Sequence, residues 1–270
     1  MPQTGAKPSV AAKATHAVTP KKIAARADSM PAISLKSVKK PIKNQIPASQ
    51  QGMGMDSAAV RARMVKLLAE GGITDQAVLS AMNTIERHRF VDTALAPQAY
   101  EDTSLPIGLS QTISKPNVVA RMIALLREGA ALDSQGRMGR VLEIGSGCGY
   151  QAAILSLLCK EVYSIERLRG LYDKALVNIR HLKAANLHLL LGDGMLGAPG
   201  GAPYSGIIAA AGGEAIPQAW VDQLAVGGRI VAPTGNGAAQ SLIVIDKTAR
   251  GLKQTVLESV LFVPLKSGVA

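Results

Sequence analysis

Aromatic side chains are scarce, with one Trp, two Phe and five Tyr in 270 residues, so any core must be mostly aliphatic. Cysteine is scarcer still. Cys148 and Cys159 form no CxxC pair, which excludes the disulfide framework of a small secreted fold and leads us to expect a reducing compartment. The four histidines, His16, His88, His181 and His188, make no HxxxH or HExxH pattern, so no metal ligands are assigned and metal-free chemistry is expected. No uninterrupted apolar run approaches the ~18 residues of a membrane span, and a soluble cytoplasmic protein is expected.

Acidic residues are almost missing from the first 55 positions. Nine Lys and Arg face Asp28 alone there, and this segment carries most of the formal net charge of +11. Pro2, Pro8, Pro20, Pro31, Pro41 and Pro47 interrupt any helix or strand. Residues 1–55 are therefore expected to be a disordered basic tail, able at most to make weak, salt-sensitive contact with polyanions. Residues 56–270 are expected to form a single catalytic domain.

Order is expected from Asp56, an N-cap candidate, through a helix carrying Val60, Met64, Leu67 and Leu68 on one face and stopped by Gly71 and Gly72. A second helix follows, capped by Thr74 or Asp75, with an apolar stripe of Ala77, Val78, Ala81, Met82 and Ile85. Residues 90–115 read as irregular, and Pro116 opens a third helix. From residue 140 short apolar runs at 140–144, 162–165, 187–191, 206–210 and 228–232 alternate with helical stretches at 151–159, 168–184 and 217–224. That alternation predicts an α/β fold with a largely parallel, doubly wound sheet behind N-terminal helices. Strands at 241–246 and 256–263, joined through a turn at 248–251, predict an antiparallel pair at its C-terminal side.

The strand Val141–Ile144 runs into Gly145, Ser146, Gly147, Cys148 and Gly149, a tight turn where a ligand must approach the backbone closely. The spacing is GxGxG behind an acid, Glu143, and differs from the GxGxxG that places a pyrophosphate at a helix N-terminus. Glu166 ends the next strand and can accept hydrogen bonds from two ribose hydroxyls. Asp193, between Gly192 and Gly194 at the tip of the third strand, can accept one from an adenine amino group. Three such features on one sheet edge point to the nucleoside of S-adenosyl-L-methionine as cofactor, in a Rossmann-like methyltransferase fold.

From about Arg61 onward the chain resembles the protein-L-isoaspartate O-methyltransferase family. The motifs are RFVD at 89–92, LPIG at 105–108, QTISKP at 111–116, VLEIGSGCGYQAA at 141–153, IERLRGL at 165–171, GDG at 192–194 and FVPL at 262–265. The resemblance implies protein repair: methyl transfer to the free carboxylate of L-isoaspartyl residues in damaged proteins and peptides. It makes Ser114 the active-site serine and Ile107, Gly108, Gln111, Thr112 and Ile113 the substrate loop. Glu143, Gly145, Ser146, Gly147, Gly149, Glu166, Asp193 and Gly194 become the cofactor set. A helix cap is the competing role for Ser114. The chain departs from relatives at Ser110 and Lys115, where they often have Gly and a neutral residue, and at Cys148, Ser205 and Gly212-Gly213. A monomer is expected. A methyltransferase with another acceptor, or a nonenzymatic polyanion binder on a vestigial fold, are the alternatives.

Overall fold

The computed structural model describes residues 57–237 and 239–270, so the expected tail and the Asp56 cap lie outside the described residues. Helix α1, Ser57–Glu70, buries Met64 and Leu68, but Leu67 is 56% exposed and does not belong to the buried stripe. Helix α2, Gln76–Thr84, is capped by Asp75, whose Oδ1 accepts the N–H groups of Ala77 and Val78. Its other carboxylate oxygen accepts from Arg127 Nε at 2.8 Å. Arg127 lies near the end of helix α3, Pro116–Glu128, so one carboxylate both starts α2 and fastens it to α3.

The stretch between these helices is more ordered than its composition predicts. Strands β1, Leu105–Gly108, and β2, Gln111–Ile113, pair as a two-residue hairpin, which carries too few residues to register as periodic. Upstream, Arg87 is fully buried, donating from Nε to the Ala99 carbonyl at 2.8 Å and lying over the Tyr150 ring.

The main sheet contains β3 (Met138–Ile144), β4 (Cys159–Glu166), β5 (Leu187–Leu191), β6 (Tyr204–Ala209), β7 (Leu224–Asn236), β8 (Ala239–Thr248) and β9 (Gly251–Val260). Their spatial order is β5-β4-β3-β6-β7-β8-β9, parallel from β5 to β7 and antiparallel beyond. The antiparallel C-terminal pair occurs as expected, with β9 starting earlier than the apolar run at 256–263 suggested, because the turn at 248–251 leads straight into pairing. Helices α4 (Tyr150–Leu158), α5 (Arg169–Ile179) and α6 (Gln218–Gln223) complete the alternation.

Strand alternation decides which face each side chain takes. Val141 joins the core shared with α1 to α4, whereas Leu142 and Ile144 join the opposite core with Trp220 and Ile230. Glu143 shares the face of Val141 and is fully buried. Strand order reverses beside β3, with β4 on one side and β6 on the other, so the loops at their carboxyl ends diverge and leave a crevice.

Candidate active site

The crevice above β3 is a cavity of about 540 Å³, a size that suits a small organic ligand. The glycine turn forms its floor. Gly145 and Ser146 donate their N–H groups to the Ile165 carbonyl, at 2.8 and 3.2 Å, which ties the turn to β4. Gly149, with φ 88°, is the N-cap of α4 and sits where a Cβ would lie 3.0 Å from Ile179. Its work is to admit the left-handed turn and bring α4 against α5.

Glu166 is 5% exposed and its carboxylate is held by three backbone donors. Gly147 donates to Oε2, and Arg167 and Leu168 donate to Oε1, each at 2.9 Å. The side chain is thereby fixed at the cavity wall, with a lone pair left on Oε2 for a ligand hydroxyl, while both acceptor sites of Oε1 are taken by the backbone.

Glu143 takes a different place. It stands beneath the floor and outside the cavity lining, accepting a hydrogen bond from Ser164, whose hydroxyl also pairs with Ser146 at 2.5 Å. Burial pushes its carboxyl up to about 8, against the lowering pull of the Ser164 and Gln151 hydrogen bonds. Its link to the glycine turn runs through Ser164 to Ser146.

Asp193 also stands outside the lining. Its carboxylate accepts from Met195 at 2.8 Å and from the Gly268 N–H at 2.6 Å, so the end of the chain already occupies part of it. Its neighbour Gly194 does line the cavity, and a Cβ there would meet Ile144 at 2.7 Å.

The β1–β2 hairpin closes the other side. Ile107, Gln111, Thr112, Ile113 and Ser114 all line the cavity, while Gly108 is outside it. Lys174 on α5 donates to the Ile107 carbonyl at 2.9 Å and pairs with Asp92 at 3.0 Å, which moors the hairpin to the cofactor-side helix. Ser114 does not cap α3. Lys115 holds the N-cap position without a side-chain bond, and Asp102 receives the Asn117 N–H at 2.8 Å instead. The Ser114 hydroxyl has no protein partner among the described residues and faces the cavity.

Sequence reasoning overlooked several lining residues. Gln151 lines the cavity with its amide directed to the Glu143 carboxyl below, and Val263 to Lys266 cross the mouth, held by a two-way backbone link between Gly212 and residues 263 and 265 at 2.8 and 2.7 Å. The FVPL motif marked that crossing without revealing its position. The Cys148 thiol also lines the cavity, but burial pushes it up to about 11, so it is neutral near pH 7 and unsuited to act as a nucleophile. Among the described residues no cluster of His, Cys, Asp and Glu suits a metal ion.

An open α/β sheet with a glycine turn, an anchored carboxylate and a cavity at its switch point defines the class of nucleoside-binding α/β proteins. Residues 59–270 match the family model described as protein-L-isoaspartate(D-aspartate) O-methyltransferase, and the chain belongs to that family. A protein-L-isoaspartate O-methyltransferase of Methylibium petroleiphilum is 59% identical over 220 residues, covering 80% of this chain and 81% of the relative. One from Leptothrix cholodnii is 55% identical over 229 residues, covering 83% and 79%. A solved protein-L-isoaspartate O-methyltransferase structure superposes with a TM-score of 0.68 at 27% identity, covering 77% of this chain and 67% of that one. The fold is also shared with a Plasmodium falciparum protein solved with S-adenosyl-L-homocysteine, at a TM-score of 0.63 and 24% identity, covering 76% and 98%.

Proposed function

We propose that this chain is a protein-repair methyltransferase that esterifies the free carboxylate of L-isoaspartyl residues, with S-adenosyl-L-methionine as methyl donor. The observation that carries this is the single cavity shared by the Glu166-anchored glycine turn and the uncommitted Ser114 hydroxyl. The residues present suit that cofactor: Glu166 offers a hydroxyl acceptor at Oε2, and Gly147 and Gly194 bring bare backbone to the cavity wall. When bound, the cofactor supplies an electrophilic methyl group on a sulfonium leaving group.

This chain's own residues then bind and orient. An isoaspartyl carboxyl, with a pKa near ~4, is ionised at neutral pH and needs no general base. Ser114 donates its O–H to that carboxylate and turns one oxygen inward. Ile107 and Ile113 supply apolar walls that exclude water, and Lys174 holds the hairpin at the required distance. The ester left on the substrate is a better electrophile than the carboxylate, which favours closure to a succinimide and partial return to aspartate.

On this reading residues 56–270 work as a monomeric cytoplasmic catalytic domain, and the basic tail at 1–55 adds only salt-sensitive contact with polyanions. Among the described residues no helix is long and apolar enough to cross a membrane. The test is methylation of matched isoaspartyl and aspartyl peptides by the chain and by Ser114→Ala. A hydrogen bond to a charged group is worth about 1.5–3 kcal/mol, so kcat/KM on the isoaspartyl peptide should fall about 10- to 100-fold. Equal labelling of the two peptides by the unaltered chain would refute repair.

A further inference from the structure

The hairpin tip is built from residues that its backbone does not favour. Leu109 and Ser110 connect β1 to β2 with φ 50° and 57°, the two left-handed positions of a type I′ turn. Such a turn prefers Asn-Gly, since a side chain in the left-handed region crowds its own backbone. Leucine is poorly suited to it.

Burial does not explain the choice, because Leu109 is 58% exposed. Three neighbours hold the turn instead. Gly108 pairs with Gln111, Ile113 is buried, and Lys174 grips the Ile107 carbonyl. The Leu109 side chain lines the cavity and reaches across its mouth to α5, where a Cβ on Gly170 would lie 3.1 Å from its Cδ1. An exposed apolar side chain, kept in strained backbone at the lip of a cavity, is suited to hold something that is not part of the chain.

We propose that Leu109, displayed by the strained Leu109-Ser110 turn, is a specificity-determining residue that packs against the side chain flanking the isoaspartate and favours peptides with an apolar residue there. The inference rests on the isoaspartyl reading above. The flanking side chain must pass the mouth as the acceptor carboxylate reaches Ser114, and Leu109 supplies apolar surface at that point. Ser110 contributes conformation only, since its hydroxyl has no partner among the described residues.

The test uses the full chain, Ser110→Gly and the double variant Leu109→Asn/Ser110→Gly, with isoaspartyl peptides carrying Leu or Gly beside the isoaspartate. Both variants should raise Tm, by about 2–6 °C for the double variant, because strain is relieved. Ser110→Gly should leave both KM values within about twofold. The double variant should raise KM for the Leu peptide about three- to tenfold, change the Gly peptide less than twofold, and keep S-adenosylhomocysteine affinity within twofold. Equal KM changes on the two peptides, or none, would overturn the specificity role, and a lowered Tm in both variants would overturn the strain. If the unaltered chain methylates neither peptide, the isoaspartyl reading fails instead, so the two failures are distinguishable.

Discussion

Replacing Glu143 by Gln tests how a buried carboxyl shapes this domain. In the folded chain its pKa is pushed from 4.5 to about 8, chiefly by burial. A carboxyl raised on folding contributes stability that is complete below its unfolded pKa and is lost as pH rises through the folded value. The loss therefore begins above pH 4.5 and levels off above about pH 8. At 1.36 kcal/mol per pH unit across that window it amounts to about 5 kcal/mol at most, a large share of the ~5–15 kcal/mol that stabilises a typical domain. Glutamine keeps the shape and an acceptor for Ser164 but cannot ionise. Urea unfolding of both proteins at pH 5, 7 and 9 provides the assay. The two should have similar stability at pH 5, and the glutamine variant should be the more stable by pH 7 and more so at pH 9. Other titrating groups are common to both proteins and cancel in the difference. Parallel stability curves across this range would refute a neutral, proton-holding Glu143.

Three further outcomes are expected. Glu166→Gln retains an acceptor oxygen but replaces the other with an amide donor facing the backbone N–H groups, so calorimetry should show S-adenosylhomocysteine affinity reduced by at least about tenfold. Gly149→Ala combines a left-handed backbone with a 3.0 Å approach to Ile179, and thermal unfolding should show destabilisation of about 1–3 kcal/mol. Removing residues 1–55 should leave turnover on a short isoaspartyl peptide within about twofold while weakening low-salt retention on a polyanion column; a large loss of turnover would place the tail in the active site.

The glycine turn and the alternating strands were legible because they express local physics. A left-handed position favours glycine because no Cβ crowds the backbone, and an apolar run of strand length announces a buried strand. Ser114 could be read only as a choice between cap and active-site residue. That choice depended on Asp102, which takes the capping role from a loop twelve residues upstream. Leu67 was misplaced in the buried stripe because helical periodicity locates a face only approximately, and neighbouring elements decide its edge.

By itself, the sequence determined the strand–turn–helix order, the glycine spacing and the presence of acids at three strand ends. Tertiary structure decided which acid serves which purpose. Glu143, Glu166 and Asp193 look alike in local pattern, yet alternation buries Glu143 beneath the floor and three backbone N–H groups hold Glu166 at the wall. Asp193 is met by Gly268, 75 residues away in sequence. Solvation and hydrogen-bond partners set a carboxylate's role, and here both come from parts of the chain that are distant in sequence.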